Sequence, residues 1–179
     1  KSMASSWNKL HRACIKIDTH SPQATGLELK KIEMLCLYSC GVDEPTSAGN
    51  TALHLACTQS STELVRLLLR LGADPEAEND AYETPLHHSL MHGRIEVIEI
   101  ILEQGVDVNV PDQHGCTPLH WALQQLDFNP DVVRMLLAAG ANTAALDHNG
   151  DTALHYAARE GNTLAVDILL KSGCDFTIA

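Results

Sequence analysis

Thr117-Pro118-Leu119-His120 decides the fold of this chain, because the same signature stands three more times in phase, as Thr51-Ala52-Leu53-His54, Thr84-Pro85-Leu86-His87 and Thr152-Ala153-Leu154-His155. The starts lie 33, 33 and 35 residues apart. A second marker follows each one: Gly72-Ala73-Asp74, Gly105-Val106-Asp107, Gly140-Ala141-Asn142 and Gly173-Cys174-Asp175. From the Leu of the first marker to the Gly of the second is 19 residues in three units and 21 in the unit beginning at Thr117. A fixed period of this length marks a repeat architecture, in which each unit buries its apolar face only against its neighbours.

Within a unit the residue types prescribe two short helices. Thr caps the first helix through its hydroxyl, and Pro85 or Pro118 takes the first helical position, where a missing N–H costs nothing. The second helix carries apolar residues at helical spacing, as in Leu64, Val65, Leu67, Leu68 and Leu71, or Val97, Ile98, Ile100 and Ile101. It stops at the marker glycine, which accepts the left-handed C-cap conformation. Asp112-Gln113-His114-Gly115 and Asp147-His148-Asn149-Gly150 are turn chemistry, so each connection projects as a finger.

The T-P-L-H, G-A-D and D-x-x-G signatures at this period resemble ankyrin repeats, over residues 42–179. The resemblance implies an all-α solenoid of stacked antiparallel helix pairs with β-hairpin fingers, whose role is to bind another protein on a concave groove. Residues 1–41 read as a degenerate N-terminal capping repeat, with Leu10-His11-Arg12-Ala13-Cys14 as the remains of its first helix and Gly41-Val42-Asp43 as its end marker. About 12 residues are inserted there, placed in the polar run Thr19–Gly26 within residues 15–30, and Trp7 is expected to cover the open end of the stack. Residues 42–179 are four repeats in one continuous array. The sequence stops at Ile178-Ala179, where another finger is due, as a longer array cut short or a bare end does.

Composition sets the outer bounds. The 179 residues are 45% hydrophobic and 20% charged, with no apolar run near the length of a membrane span, so a soluble folded chain is expected. Twelve Lys and Arg against 23 Asp and Glu give a net charge of -11, which repels a phosphate backbone and argues against nucleic acid. Six cysteines without paired spacing, and no signal segment, point to the cytosol or nucleus. Neither membrane nor cofactor is implied, and a monomer is expected.

Several constellations bear on function. His54, His87, His120 and His155 hold the signature position and His11 its degenerate counterpart; the resemblance implies that these rings brace helix starts. His88 and His92 lie four apart on one helical face, which allows a shared metal but supplies no third ligand, so no metal site is assigned. Cys36 and Cys40 share that spacing and read as buried small hydrophobes. No nucleophile elbow and no phosphate-cradling glycine loop is present, so an enzyme is not expected.

Leu55, His88, Trp121 and Tyr156 each follow a signature His. The resemblance places this position on the inner helix toward the groove, where Trp121 and Tyr156 either anchor a partner or pack between neighbouring helices. Thr58 and Gln59, Met91 and His92, Gln124 and Gln125, and Arg159 and Glu160 extend that surface.

Charge adds a second feature. Residues 1–41 hold six basic residues against three acids, net +3, while residues 42–179 hold six against 20, net -14. The connections 41–51, 72–84, 105–117 and 140–152 contain no Lys or Arg and eleven acids. Glu44, Glu76, Glu78, Asp80, Glu83 and Asp151 exceed the repeat pattern. Such a row either favours a basic or amphipathic partner or only keeps the array dissolved. Tyr82 stands where the other fingers have Gly49, Gly115 and Gly150, so its turn must change conformation or force a bulky residue to positive φ. Phe128 sits at the helix-to-helix turn of the longer unit. The candidate partner-binding set is therefore Tyr82, His88, Met91, His92, Trp121, Gln124, Gln125, Tyr156 and Arg159, with Glu76, Glu78, Asp80, Glu83, His114, His148 and Asp151 from the fingers. Three roles fit it: a standalone adaptor or scaffold, the interaction domain of a larger enzyme, channel or transcriptional regulator, and a secreted host-directed effector.

Overall fold

The computed structural model describes residues 9–14, 22–38, 41–59, 61–91, 95–124 and 128–173. Among these residues every regular element is a helix and none is a strand. The chain forms two compact units, divided after Ser89.

The first unit begins with α1 (residues 9–14) and α2 (Pro22–Tyr38), followed by α3 (Ala52–Cys57) and α4 (Thr62–Arg70); α5 (Pro85–Leu90) runs to its end. Ile32 of α2 is fully buried, and α2 packs on α4. Leu53, Ala56 and Cys57 of α3 interlock with Leu64, Val65 and Leu68 of α4, all without exposed surface. Pro22 is the first residue of α2, so the second half of the polar run Thr19–Gly26 is helical. Trp7 and the rest of that run lie outside the described residues.

In the second unit, α6 (Ile95–Leu102), α8 (Pro130–Ala138) and α10 (Thr163–Lys171) form one layer, with α8 touching both neighbours. The other layer is α7 (Pro118–Gln124) against α9 (Ala153–Arg159). Val97, Ile98, Ile101, Leu119, Leu123, Val133, Leu136 and Leu169 fill the space between. The amphipathic spacing read from sequence therefore buries one stripe per helix, each large side chain contributing about 1.5–3 kcal/mol.

The helix starts use two kinds of cap. In the first helix of each repeat, the Thr51 N–H donates to His54 Nδ1 at 3.1 Å and the Thr51 hydroxyl closes on the same nitrogen at 2.9 Å. The arrangement recurs at Thr84 and His87, Thr117 and His120, and Thr152 and His155. The second helices are capped conventionally by Ser61, Asn129 and Asn162, whose side-chain oxygens accept backbone N–H bonds. The two-residue insertion of the longer unit leads into this Asn129 cap; Leu126 and Asp127 lie outside the described residues, and Phe128 is half-buried.

The connections share one loop. In 46–50, 79–83, 112–116 and 147–151 the first residue donates its N–H to the carbonyl four residues on, at 2.8–3.0 Å, and its side-chain oxygen accepts N–H bonds from the second and fourth following residues. Adjacent loops are linked by single backbone bonds, from the Asp80 N–H to the Ala48 carbonyl and from the His148 N–H to the His114 carbonyl. Where the resemblance implies β-hairpin fingers, the described residues show these closed turns.

Candidate functional site

The loop's first residue also sets what the inner helix does. Thr46, Asn79, Asp112 and Asp147 hold that place, and nine residues on stand Leu55, His88, Trp121 and Tyr156. Thr46 has only one side-chain oxygen, taken up by its loop, and its counterpart Leu55 is apolar. Each of the others has a second polar atom, and each meets a polar ring. Asn79 Nδ2 lies 3.4 Å from His88 Nε2, Trp121 Nε1–H donates to Asp112 Oδ2 at 3.0 Å, and the Tyr156 hydroxyl donates to Asp147 Oδ2 at 2.7 Å. The rings expected to line a groove are thus tied to their own fingers.

In the first unit this produces a polar cluster. Asn79 Nδ2 donates to Glu83 Oε2 at 2.7 Å and to Asn50 Oδ1 at 2.8 Å, while His88 Nε2 faces the same Glu83 oxygen at 3.1 Å. The His88 ring stands edge-on to His54, with centroids 5.1 Å apart. Because His54 Nδ1 accepts from a backbone N–H, its Nε2 carries the proton and donates to the Glu83 carbonyl at 3.0 Å. Burial holds the His54 pKa down at about 4, with the Glu83 carbonyl opposing only in part. The ring is a neutral strut joining one repeat to the next.

In the second unit, Asp112 and Asp147 are both buried. For Asp147, burial alone raises the pKa, but N–H donors of Asp151 and Asn149, the Tyr156 hydroxyl and the Asn149 amide together hold it well below the usual carboxylate range. Tyr156, only 8% exposed, has its hydroxyl pushed up by burial and by its Cys116 and Asp147 neighbours. Cys116 Sγ lies 3.4 Å from that hydroxyl, and its thiol is raised, mainly by burial. Burial likewise raises Cys57 and lowers His120. A thiol held protonated, a phenol held protonated and a carboxylate filled with hydrogen bonds form a structural network, with no nucleophile activated. Among the described residues no three His, Cys, Asp or Glu side chains converge as a metal site.

Over this network lies a depression of about 280 Å³ walled by Asp112, Trp121, Gln124, Asp147 and Tyr156. Trp121 is half-buried, and Gln124 is exposed beside it. Arg159 reaches over the Tyr156 ring, 4.9 Å from its centroid, and pairs with Asp151. His114 and His148 are exposed on the two loops, and Met91 is exposed at the start of the same unit. In the first unit, Glu76, Glu78 and Asp80 are exposed, Glu83 is half-buried in the Asn79 cluster, and His88 is buried. His92 and Gln125 lie outside the described residues, as does Cys40, while Cys36 is half-buried.

Tyr82 takes φ 59°, the left-handed value that Gly49, Gly115 and Gly150 adopt at 77–85°. Of the two outcomes open at this position the second holds: its N–H bonds the Asn79 carbonyl as the glycines bond theirs, so the turn keeps its shape and the tyrosine carries the strain. Its side chain is 57% exposed. Sequence reading took Asp112 and Asp147 as ordinary turn residues and did not single out Asn79. The spacing of nine to a polar ring was the available signal.

Paired short helices joined by turn-locked loops at a fixed period define a helical-repeat protein. A family model described as ankyrin repeats (3 copies) matches residues 10–112, 71–147 and 107–179, and the chain belongs to the ankyrin repeat family, whose repeats are protein–protein interaction modules. Over 52 residues, 29% of this chain, it is 36% identical to protein phosphatase 1 regulatory subunit 27 of Homo sapiens and 35% identical to that of Mus musculus. The match spans 34% of those relatives, so the chain covers about a third of their length. Among the described residues no helix is long and apolar enough to cross a membrane.

Proposed function

We propose that this chain is a non-catalytic protein-interaction module that acts as an adaptor or scaffold, holding a partner protein or peptide on its inner helices and fingers. The observation that carries the proposal is the locking of the fingers: the loop's first residue hydrogen-bonds its own turn and, in three of four cases, a polar ring of the following helix. A receptor surface fixed in this way loses little freedom on binding, so more of the contact energy appears as affinity. The eleven acids on the connections, with no Lys or Arg among them, favour a basic or amphipathic segment and speed its arrival. Recognition then falls to the exposed members of the set, Tyr82, Met91, Gln124, Arg159, Glu76, Glu78, Asp80, His114 and His148, while His88, Trp121 and Tyr156 fix the platform beneath them.

The role of a regulator's interaction domain draws specific support from the named relatives, which are regulatory subunits of a phosphatase. In that role the chain brings a target to, or holds it away from, an enzyme carried by another polypeptide.

The test is affinity capture from lysate of the source cells with mass-spectrometric readout, using the native chain and a Glu78→Lys, Asp80→Lys, Tyr82→Ala variant whose melting is unchanged. Proteins retained by the native chain and lost from the variant support the finger surface as the binding site. Equal retention removes the fingers from the reading, and failure to retain any protein removes the adaptor role.

A further inference from the structure

The region of opposite charge lies at the other end of the first unit. Between α1 and α2 is a groove of about 380 Å³ lined by Lys9, Arg12 and Ala13 from α1 and by Glu28, Lys31 and Leu35 from α2. A second depression of about 440 Å³ adjoins it along α2, sharing Glu28 and Lys31 and adding Lys30 and Met34. Each falls within the size of a specific site, about 300–1,000 Å³. Ile32 points α2 into the core, which leaves Met34 56% exposed and Leu37 60% exposed on the outer face, one helical turn apart. Lys9, Arg12, Lys30 and Lys31 are all exposed around these apolar groups.

We infer that this groove is a second interaction surface, separate from the fingers, whose occupant is an amphipathic helical segment with carboxylates flanking an apolar stripe. Among the described residues four cations stand against one acid at the groove, while the chain from residue 42 onward carries net -14. An acidic segment is therefore attracted at α1 and α2 and repelled along the rest of the chain, which fixes where it lands. Apolar anchors at helical spacing fill the trough between the cations, next to Met34, Leu35 and Ala13. The lysine and arginine stems cover the edges of that contact while their heads pair with the carboxylates. A basic segment gains only Glu28 and meets four like charges, so the groove and the fingers select opposite partners.

The experiment is fluorescence anisotropy on the full chain, using as probe a synthetic peptide of about 14 residues, four helical turns, with leucines at helical spacing and glutamates elsewhere. The control replaces every glutamate by lysine. The expected result is saturable binding of the acidic probe, weakened at least about tenfold, 1.4 kcal/mol, by Lys30→Glu with Lys31→Glu and by Met34→Asp, and not weakened by Glu78→Lys with Asp80→Lys. Circular dichroism melting verifies each variant, and Lys30→Gln with Lys31→Gln replaces a reversal that fails to fold. The inference is overturned if the acidic probe does not bind, if the α2 variants bind it as tightly as the native chain, or if the lysine control binds the groove better. It is equally overturned if phosphatidylserine vesicles, and not the peptide, are the ligand lost in the α2 variants. Sedimentation that shows a dimer abolished by those variants makes a second copy the occupant, and also overturns it. Because the finger variants act on a different surface, these outcomes are independent of those under the proposed function.

Discussion

 A carboxylate can accept about four hydrogen bonds, and Asp147 receives four, from the N–H groups of Asn149 and Asp151, the Asn149 amide and the Tyr156 hydroxyl, while Asp112 receives three, from the N–H groups of His114 and Cys116 and the indole of Trp121. Trp121→Phe replaces the indole by a smaller aromatic ring and deletes one bond to a charged group, so it is expected to cost about 1–2 kcal/mol in urea denaturation, and Tyr156→Phe about 2 kcal/mol, since Tyr156 is the more buried. A loss below a few tenths of a kcal/mol in both would show that the rings do not hold the loops. His54 gives a prediction in pH. Its folded pKa lies near 4 against 6.5 for the free side chain, so the unfolded chain binds more protons between those values. Its contribution is complete above about pH 6.5 and is lost as pH falls toward 4, by about 3 kcal/mol at most. His120, also lowered, acts in the same direction, and Asp147 adds a further loss below the ordinary carboxylate range. Melting temperature is therefore expected to fall between pH 7 and 4.5, and less steeply in His54→Gln, which keeps a donor and an acceptor but does not titrate; identical slopes would remove His54 as the cause.

At the scale of the loop, three positions with one conformation have three different costs. A Cβ on Gly115 would lie 2.8 Å from His148 Cδ2 and 2.9 Å from its backbone nitrogen, while one on Gly150 would meet nothing within 4 Å. Both have φ of 80° or more, so Gly150→Ala is expected to cost about 1 kcal/mol from backbone strain alone, and Gly115→Ala at least about 2 kcal/mol because the neighbouring loop must also move. Tyr82→Gly runs the other way and is expected to stabilise by up to about 1 kcal/mol. Equal costs at Gly115 and Gly150 in thermal denaturation would show that loop-to-loop approach contributes nothing. The helices and their order were legible in the sequence because Pro at the first turn, apolar spacing and the closing Gly are local signals, while the place of Tyr82 in the repeat left two outcomes open, of which the left-handed turn holds. What was not legible was the direction of the inner-helix rings. Trp121 and Tyr156 carry a polar handle, and the sequence alone does not say whether that handle faces a partner or the loop nine residues behind it. The α1–α2 groove escaped for a related reason, since it depends on how a divergent unit packs, for which no repeat signature exists.

Across the whole chain, charge is the dominant unlocalised property. A net charge of -11 that arises from -14 beyond residue 41 makes the acidic connections repel one another, and dissolved salt screens that repulsion beyond a Debye length of about 8 Å at physiological strength. Melting temperature is therefore expected to rise by about 2–4 °C on going from low salt to about 0.3 M, and the association rate of a lysine-rich peptide to fall over the same range. A melting temperature and an association rate both indifferent to salt would show that the acids neither repel each other nor steer a ligand. The strut from His54 to the Glu83 carbonyl carries a different kind of consequence. Its acceptor is main chain, which every residue type supplies, so the junction asks nothing of the side chain it meets. Gene duplication or deletion of one whole repeat leaves that joint chemically intact, and the lineage of such a chain is free to change its length while its binding residues diverge.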